Sequence, residues 1–387
     1  MSRGDSKSEH LIWCEVSRTA LIGNINEFKK IAGRSVRLAA VVKANAYGHG
    51  LIQASRCFVE AGVDGLCVND VLEGEALRAD GVEIPIYVLG YVSEGLAERA
   101  VKGDLIPVVY GRKTVDALDR AGRAAGKIAK AHLKVDTGTN RQGLRLEDLL
   151  ELAKYAASRK NIVIDGLSTH FADIEDTTDH SYAKVQIEAY IEAVSRLKEM
   201  GIDPPVKNIA NSAATILWPE AHFNMVRLGI SAYGLWPSKE TLISARMLHR
   251  ENINLTPALT WKTRIAQVRR LSKGEYIGYG RTFRTAHETL LAVCPVGYYD
   301  GYDRNLSNTG YVLINGARAQ VRGRVCMNMI MADVTDAPDA KEGDEVILMG
   351  RADGDSITPE QFASWAGTIN YEAVARINDR IPRIIVE

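Results

Sequence analysis

The sequence has 387 residues, in which 48 acidic and 48 basic side chains balance. This length exceeds that of one ordinary domain and predicts two. The charge balance argues against a nucleic-acid partner, and no apolar run approaches the ~18 residues of a membrane span. Segment 1–10 is polar and lacks the apolar core of a secretory signal. Five scattered cysteines without a Cys-x-x-Cys pair favour free thiols in a cytoplasmic protein over a disulfide framework or a zinc site.

Short apolar runs alternate with helical patterns from about residue 36 onward. The eight runs are 38–43, 65–68, 84–89, 105–110, 131–135, 162–168, 206–209 and 225–228. Near-continuous apolar runs are typical of strands buried on both faces of a parallel sheet. Helical patterns at 115–129, 147–160 and 182–200 lie between them, the last with Gly201 as a stop signal. The pattern predicts an α/β fold with an N-terminal (β/α)8, TIM-like barrel, and a doubly wound open sheet is the alternative.

The pattern changes after about residue 250, where strand-like runs dominate. They are 258–271, 288–296, 311–314, 325–334 and 345–349, with short helices at 358–365 and 371–377. Asn315-Gly316 is a strong signal for a type I′ hairpin. Segment 10–16 predicts a further strand, followed by a helix at 21–31. We therefore predict an N-terminal strand within 1–15 that packs with the C-terminal domain, a barrel over 16–250 and a mainly β domain over 251–387.

Lys43 is the first candidate functional residue, because it ends an apolar run. Burial lowers the pKa of a lysine amine, and the neutral amine is the nucleophile that condenses with a carbonyl. The carboxyl ends of barrel strands are also where catalysis occurs. From position alone, a lysine that extends to solvent from a strand end is an equal alternative.

The segment around Lys43, Val-Lys-Ala-Asn-Ala-Tyr-Gly-His-Gly at 42–50, resembles the lysine motif of the alanine racemase family. The likeness continues in order from about Trp13 to Val386 and covers both predicted domains. It implies a pyridoxal-phosphate (PLP) dependent isomerase that interconverts L- and D-alanine and supplies D-alanine for peptidoglycan. It also implies that the barrel holds PLP on Lys43 and that head-to-tail homodimers share their active sites.

By this resemblance, a set of residues binds the phosphate of the cofactor: Tyr47, Ser212, Gly229, Ile230 and Tyr371. Ser212 follows the seventh run, where a hydroxyl and the exposed N–H groups of a starting helix favour an anion. An ordinary helix cap is the alternative for Ser212, and the two roles are compatible.

Arg227 ends the eighth run and His170 follows the sixth. From position alone, Arg227 would form a salt bridge at the barrel mouth and His170 would be structural. The resemblance places Arg227 on the pyridine nitrogen, with His170 beneath the ring and hydrogen-bonded to Arg227. Because arginine stays protonated, the ring nitrogen would remain unprotonated and the ring a weaker electron sink, which suits racemization. The acidic residues and His180 near His170 have no standard metal-ligand spacing, so no metal is expected.

Racemization is simplest with one base on each face of Cα. Lys43 would handle the α-proton of the D-isomer. The resemblance assigns the L-isomer to Tyr279, contributed by the other subunit. From the local sequence alone, Tyr279 would be a packed tyrosine between two glycines.

The resemblance also implies three substrate contacts, through Arg141, Met327 and Tyr298, with Tyr298 and Tyr371 limiting the side chain to a small one. It matches Arg304 and Arg324 to the channel entrance, and Lys134 to a lysine that some members carry as a carbamate. Two positions depart from the family pattern: Thr139-Asn140 stands where Met-Gly or a similar pair is usual, and Asn328 stands for the common Asp.

Three alternatives to an alanine racemase are considered. A serine or broad-spectrum racemase differs only in side-chain selection, which is worth ~1–3 kcal/mol for one methyl or hydroxyl. A barrel-type PLP decarboxylase is disfavoured by Arg227, since those enzymes place a glutamate at the pyridine nitrogen. A non-enzymatic PLP carrier resembles the barrel alone, so the extra β domain and Tyr279 argue against it.

Overall fold

The computed structural model describes residues 10–352 and 354–387. The chain begins with strand β1 (Ile12–Ser17) and helix α1 (Arg18–Ala32). It divides into two compact units, one of residues 20–46 and 54–256 and one of residues up to 19, 47–53 and 257–387. The first nine residues of the predicted 1–15 segment lie outside the described residues, as does residue 353.

The unit formed by 20–46 and 54–256 is a nearly closed barrel. Its eight strands are β2 (Arg37–Val41), β3 (Gly65–Val68), β4 (Ile86–Val88), β5 (Leu105–Val109), β6 (Ala129–Lys134), β7 (Ile162–Ser168), β8 (Val206–Asn208) and β9 (Met225–Leu228). They pair in parallel in the order β8-β7-β6-β5-β4-β3-β2-β9. The predicted barrel is confirmed, because a doubly wound sheet reverses its strand order and this one does not.

Helical segments connect these strands. They are the left-handed turn α2 (Lys43–Tyr47), α3 (Leu51–Glu60), α4 (Val71–Ala79), α5 (Ala97–Lys102), α6 (Arg112–Ala125), α7 (Leu146–Ala157), α8 (Ser181–Glu199), α9 (Ser212–Leu217) and α10 (Lys239–Met247). The sequence predicted α6, α7 and α8 but extended α6 too far. Gly126 has φ 63° and ends that helix, and β6 begins at Ala129.

The barrel strands are buried on both faces, as the apolar runs predicted. All residues of β3 and β5 are buried. The fully buried Tyr190 of α8 links two neighbouring strands, since its hydroxyl donates to the Leu167 carbonyl (2.7 Å) and accepts from the Asn208 N–H (2.9 Å). Each large apolar side chain buried here contributes roughly 1.5–3 kcal/mol. This packing fixes the carboxyl ends of the strands, where the candidate residues lie.

The second unit is mainly β, which confirms the prediction for the C-terminal part of the chain. Besides β1 its strands are β10 (Leu259–Arg264), β11 (Gln267–Leu271), β12 (Tyr276–Ile277), β13 (Phe283–Arg284), β14 (Thr289–Cys294), β15 (Tyr311–Ile314), β16 (Ala317–Val321), β17 (Ile330–Asp333), β18 (Glu345–Ala352), β19 (Asp355–Ile357) and β20 (Arg383–Val386), and its helices are α11 (Pro359–Ala366) and α12 (Asn370–Ala375). The main sheet has the order β11-β14-β17-β16-β15-β18-β10-β1-β20. Strand β1 is antiparallel to β10 and parallel to β20.

Three local predictions for this unit can be compared with the structure. The hairpin at Asn315-Gly316 is confirmed, since both residues have positive φ (49° and 79°) between β15 and β16. The run 258–271 is two strands rather than one, interrupted at 265–266. Within 325–334 only Ile330–Asp333 is a strand, because the carbonyls of Cys326 and Met327 instead accept the N–H groups of Tyr298 and Tyr299.

An aromatic cluster forms the core of the β unit. The ring of Trp261 lies 6.1 Å from that of Tyr302 and 6.2 Å from that of Phe362, and the last two are 5.4 Å apart. All three side chains are fully buried. Large rings in edge and tilted contacts stabilise a core beyond the effect of their area.

Segment 47–53 follows the barrel strand β2 in sequence but belongs to the β unit. The buried Arg383 fixes it there, since its Nε donates to the Gly48 carbonyl (2.9 Å) and its Nη2 to the Ile377 carbonyl (2.9 Å). Gly48 has φ 81°, and a Cβ at this position would lie 1.9 Å from the Val374 carbonyl oxygen. Only glycine allows this approach of the two backbones.

Neither membrane spanning nor disulfide bonding is found among the described residues. No helix in ranges 10–352 and 354–387 has both the length and the apolar character needed to cross a bilayer. All five cysteines are free thiols, and four are buried. Burial raises the pKa of the Cys14 and Cys294 thiols to about 12, so these two stay protonated at neutral pH.

Gly48→Ala should lower the free energy of unfolding by about 3 kcal/mol or more, because the new Cβ adds a backbone overlap to an unfavourable φ. Gly126→Ala is the matched control. Its φ is also positive, but no atom lies within 4 Å of the added Cβ, so a loss of about 1 kcal/mol is expected. Urea unfolding of both variants measures the difference, and equal losses would contradict the close contact at Gly48.

Candidate active site

Lys43 lies two residues beyond the end of β2, not on the strand as the run 38–43 predicted. It starts the left-handed turn α2, in which Ala44, Asn45, Ala46 and Tyr47 have φ between 52° and 55°. This conformation costs roughly 1–2 kcal/mol per non-glycine residue. Strained backbone of this kind concentrates at functional sites. The strained residues therefore follow Lys43 directly in the chain.

Hydrogen bonds from two directions hold the turn. The Ala46 N–H donates to the Val42 carbonyl (2.8 Å). The Ala44 N–H donates to Oε1 of Glu73 (2.8 Å), and Oε2 of Glu73 accepts from the Asn69 N–H (2.7 Å). One carboxylate of α4 thus fixes the backbone beside Lys43.

Burial lowers the pKa of the Lys43 amine, and the nearby charges of Arg141 and Arg227 lower it further, while Glu73 opposes them. Removal of water disfavours the ammonium form, and two guanidinium groups add repulsion. A larger fraction of Lys43 is therefore the neutral, nucleophilic amine at a given pH than for a lysine in water.

Arg227 is buried at 6% exposure on β9. Its guanidinium donates to Oδ1 of Asn208 and to the carbonyls of Thr169 (3.0 Å) and Ile209 (3.3 Å). These three acceptors are neutral oxygens at the ends of neighbouring strands. The bonds fix the plane of the guanidinium and leave its positive charge in the site.

His170 follows β7 and lies against Arg227. The distance from Nη2 of Arg227 to Nδ1 of His170 is 3.3 Å. Because a guanidinium only donates, this network assigns Nδ1 as the acceptor and places the ring proton on Nε2. Burial, followed by the charges of Arg227 and Lys134, holds the pKa of His170 well below its usual range. The imidazole is therefore neutral at pH 7.

A small pocket lies beside His170, and two basic side chains and one carboxylate line it. Its lining residues are Lys134, Asp136, Thr139, Arg141, Gln142, Thr169 and His170. Burial lowers the pKa of Lys134 well below its ordinary value, and the charges of Arg227 and Arg141 act in the same direction. Clustered, partly desolvated cations of this kind favour an anionic ligand.

The loop that carries Arg141 is held at two points. Oδ1 of Asp136 accepts the N–H groups of Gly138 (3.0 Å) and Asn140 (3.1 Å). The hydroxyl of Thr139 donates to the His170 carbonyl at 2.7 Å. The first departure from the family pattern therefore supplies a hydrogen-bond donor, which the usual methionine lacks.

Ser212, Gly229 and Ile230 lie together at the carboxyl ends of β8 and β9. The Ser212 hydroxyl, which is buried, accepts the N–H of Gly229 at 2.9 Å. The cap of α9 is Asn211, whose side chain accepts from the Ala214 N–H, so the helix-cap alternative for Ser212 is wrong. Gly229 precedes the short 3-10 helix Ile230–Tyr233. The start of α9 and this turn bring a hydroxyl and several backbone N–H groups to one place.

The remaining candidates belong to the β unit. Tyr279 lies on the short turn Tyr279–Arg281 between β12 and β13 and is 72% exposed. It is therefore not the packed tyrosine of the alternative. Gly278 and Gly280 on either side both have positive φ (70° and 71°), and a Cβ at Gly280 would come within 3.0 Å of the Arg324 guanidinium.

The backbone segments that carry Tyr298 and Met327 are hydrogen-bonded to each other through Cys326 and Tyr299. The Tyr298 N–H donates to the Cys326 carbonyl (3.1 Å), and a Cβ on Gly297 would lie 2.2 Å from the same oxygen. Both side chains are exposed. Asn328, the second departure from the family pattern, donates to Asp300 at 3.3 Å. An aspartate there would place two carboxylates together.

Tyr47 and Tyr371 form a ring pair in the β unit. Their centroids are 6.0 Å apart at an angle of 51°. This brings together two of the five residues that the resemblance assigns to the phosphate, whereas Ser212, Gly229 and Ile230 belong to the barrel.

Sequence reasoning missed three residues that position the site: Asn208, Glu73 and Gln186. Asn208 is 1% exposed and Gln186 is fully buried. A polar side chain at a core position of a strand or helix was the available signal, since buried polar groups are nearly always hydrogen-bonded. Glu73 lies in the first turn of α4 and gave no comparable signal.

Comparison with known proteins identifies the family of both units. Residues 16–237 match the family model "Alanine racemase, N-terminal domain", and residues 258–385 match "Alanine racemase, C-terminal domain". The chain belongs to the alanine racemase family. Its relatives include the alanine racemase of Halothermothrix orenii, with 43% identity over 96% of each chain.

Solved structures of the family superpose over the whole chain. The alanine racemase of Clostridium difficile 630 has a TM-score of 0.91 at 32% identity and covers 98% of this chain and 96% of its own. The alanine racemase of Bartonella henselae, which was solved with covalently bound pyridoxal phosphate, has a TM-score of 0.84 at 26% identity, with 97% and 100% covered.

Arg141→Met should raise the pKa of Lys43, because it removes a positive charge that disfavours the ammonium form. Lys43 should then react with an amine-selective acylating reagent only at higher pH than in the unmodified protein. Peptide mass spectrometry across a pH series measures the reaction at Lys43, with exposed Lys113 as internal reference. Arg145→Met, in the same loop, is the control, and an equal effect of both variants would rule out the assigned role of Arg141.

Proposed function

We propose that this chain is a PLP-dependent alanine racemase, an isomerase that interconverts L-alanine and D-alanine, with PLP attached to Lys43. One observation carries the proposal. Lys43, whose pKa is lowered, lies near the buried and oriented Arg227 in a barrel that matches the alanine racemase family. The Bartonella henselae relative, with PLP bound covalently, agrees with this cofactor.

The residues of the barrel fit PLP in their chemistry. A phosphate needs donors, and the Ser212 hydroxyl with the N–H groups of Gly229 and Ile230 would supply them, joined by Tyr47 and Tyr371. A pyridine nitrogen needs one donor, and Arg227 is a fixed, always protonated one. When bound, PLP withdraws electron density from the bonds at the substrate Cα and so weakens the bond to the α-proton.

Arg227 and His170 would set the electronic character of the site. Arg227 is held in one plane by Asn208 and two carbonyls, so its N–H groups point in fixed directions. His170 is neutral and accepts from Arg227. Neither residue gives up a proton at neutral pH, and a hydrogen bond without proton transfer limits how far the negative charge from Cα spreads. That favours return of a proton to Cα.

Lys43 and Tyr279 would be the two bases. Once the substrate amine has replaced that of Lys43 on the cofactor, the free Lys43 amine would take or return the α-proton on the face from which D-alanine loses it. The Tyr279 phenol, contributed by the second subunit, does so on the face from which L-alanine loses it. The base that has taken a proton ends protonated and the opposite one ends deprotonated, so the pair is ready for the reverse direction.

Arg141 would bind the substrate carboxylate through two parallel N–H groups, together with the backbone N–H of Met327. Tyr298 and Tyr371 would limit the side chain to one about the size of a methyl group. One extra methylene in such a pocket costs roughly 1–3 kcal/mol. Larger amino acids are therefore expected to react more slowly.

A homodimer in the cytoplasm, making D-alanine for peptidoglycan, completes the proposal. The β unit exposes a set of large apolar side chains near the assigned residues: Tyr276, Tyr279, Tyr298, Tyr299, Met327 and Met329, each at least 43% exposed. Exposed apolar groups that recur in one region favour a protein partner. A second copy of this chain is the partner that the family pattern implies.

Tyr279→Phe should lower racemization of L-alanine by about 100- to 10,000-fold, because it removes one general base. The visible absorbance of PLP should remain. Lys43→Ala should lose both the activity and the covalent attachment. The assay follows optical rotation and α-deuterium uptake in D2O, with L-serine, L-lysine and L-glutamate in parallel. Near-normal turnover of Tyr279→Phe would refute its role, and PLP binding without exchange on any amino acid would favour a carrier protein.

Mixing inactive Lys43→Ala and Tyr279→Phe subunits should restore activity if sites are shared. Half of randomly exchanged dimers are hybrids, and one of their two sites keeps both bases, so about one quarter of the unmodified activity is expected. Analytical ultracentrifugation gives the oligomeric state under the same conditions. A dimer that shows no recovery after proven subunit exchange would mean that each site is built from one chain.

A further inference from the structure

The carbonyl of His170 accepts hydrogen bonds from two side chains of other elements. The Thr139 hydroxyl donates at 2.7 Å and the Gln186 amide Nε2 at 3.3 Å. A carbonyl oxygen has two lone pairs, so this acceptor is saturated. Any rotation of the peptide that follows His170 would break both bonds.

Gln186 holds the same stretch at a second point. Its Oε1 accepts the N–H of Ala172 at 2.9 Å, and its Nε2 lies 3.4 Å from the hydroxyl of Thr137. The side chain is fully buried on α8. A buried amide is costly unless it is hydrogen-bonded, and an apolar residue would pack there without that requirement. Gln186 therefore contributes to this structure through its hydrogen bonds.

Arg227 holds the stretch from the opposite direction. It donates to the Thr169 carbonyl at 3.0 Å and lies 3.3 Å from Nδ1 of His170. The backbone at His170 is thus held on one side by Arg227, through the Thr169 carbonyl, and on the other side by Thr139 and Gln186, through the His170 carbonyl. The direction of the imidazole depends on this backbone, because the ring is attached only two bonds from it.

We propose that Thr139 and Gln186 are positioning residues, which hold the His170 backbone so that its imidazole stays in place against Arg227. The proposal rests on the proposed function of this site. It also links the substrate loop to the cofactor side, because Thr139 lies two residues before Arg141 in the turn held by Asp136. A shift of the loop that carries Arg141 would therefore move the His170 backbone, and the reverse, through the Thr139 hydrogen bond.

Four single variants test the proposal. Thr139→Val removes the hydroxyl at constant size, and Thr139→Ser keeps it. Gln186→Met removes the three amide contacts, to His170, Ala172 and Thr137, at similar side-chain length. Tyr182→Phe is the matched control, because the Tyr182 hydroxyl, also on α8, donates to the Gly138 carbonyl of the same loop (3.0 Å) and does not bond to His170.

In the PLP-loaded enzyme, Thr139→Val and Gln186→Met should lower kcat/KM for alanine by about 10- to 100-fold, the effect of displacing a positioned group by about 1 Å. The pH profile should shift as well, since the imidazole changes its distance from Arg227. Thr139→Ser and Tyr182→Phe should stay close to the unmodified enzyme. A lowered melting temperature with an unchanged pH profile would mean that both residues are merely structural, and would overturn the proposal.

Hydrogen–deuterium exchange on the full chain, with and without PLP, gives a readout that does not depend on turnover. Peptides that contain the Ala172 amide should exchange about tenfold faster in Gln186→Met, because the opened N–H loses its acceptor. Thr139→Val should raise exchange in the same stretch by a smaller factor, and Tyr182→Phe should leave it unchanged. Unchanged exchange in both test variants would overturn the proposal.

Failure of the proposed function and failure of the positioning role give different results. Unmodified protein that binds PLP but leaves alanine unchanged would refute the proposed function, while exchange in 169–172 would still decide the positioning role. Active unmodified protein, with Thr139→Val and Gln186→Met indistinguishable from Tyr182→Phe, would refute the positioning role alone.

Discussion

Repulsion among basic side chains that lie close together at the carboxyl ends of the barrel strands, around the buried Arg227, is the constraint on which the rest of the site depends. Lys43, Lys134, Arg141 and Arg227 act on one another there, and each lowers the pKa of a neighbouring amine or imidazole. Loss of hydration makes this repulsion stronger than it would be in water. An arrangement of this kind favours an anionic ligand. The same repulsion keeps Lys43 nucleophilic and His170 neutral.

Such a site needs rigid support, because repelling groups move apart when the backbone allows it. Most of that support comes from neutral hydrogen-bonding groups: Asn208 and two carbonyls for Arg227, and Thr139 with Gln186 for His170. Neutral partners fix the direction of the Arg227 side chain without cancelling its charge. The exception is Glu73, whose carboxylate holds the strained turn beside Lys43 and partly opposes the lowering of its pKa. The strained turn and the Glu73 hydrogen bond that holds it therefore lie next to Lys43 in the chain.

In the β unit the assigned residues lie at the surface instead of at the ends of buried strands. Its assigned side chains, Tyr279, Tyr298 and Met327, are exposed and stand on turns whose bases are fixed in the core, as Ile277 is by Leu271, Leu291 and Met331. Glycines with positive φ on both sides of Tyr279 give that turn its shape. The residues that the family pattern assigns in this unit therefore lie on solvent-exposed turns. This is the expected arrangement for residues that complete a site only when another surface covers them.

The sequence by itself determined the barrel and the β unit, and it placed Lys43, Arg227, His170 and Ser212 at or after strand ends, while the resemblance supplied the roles of Arg227 and His170. Burial on both faces leaves apolar runs, and strand ends leave polar residues at fixed places in those runs. Tyr279 and Met327 could be found only through resemblance, since an exposed side chain on a turn has no local pattern. The tertiary structure alone decided that β2 ends before Lys43, that Asn211 rather than Ser212 caps α9, and that segment 47–53 belongs to the β unit. It alone brought Thr139, Gln186 and Asn208 to their partners, because these contacts join residues that are 14 to 31 positions apart in the chain. Such contacts depend on how strands and helices stack, and no periodicity along the chain encodes them.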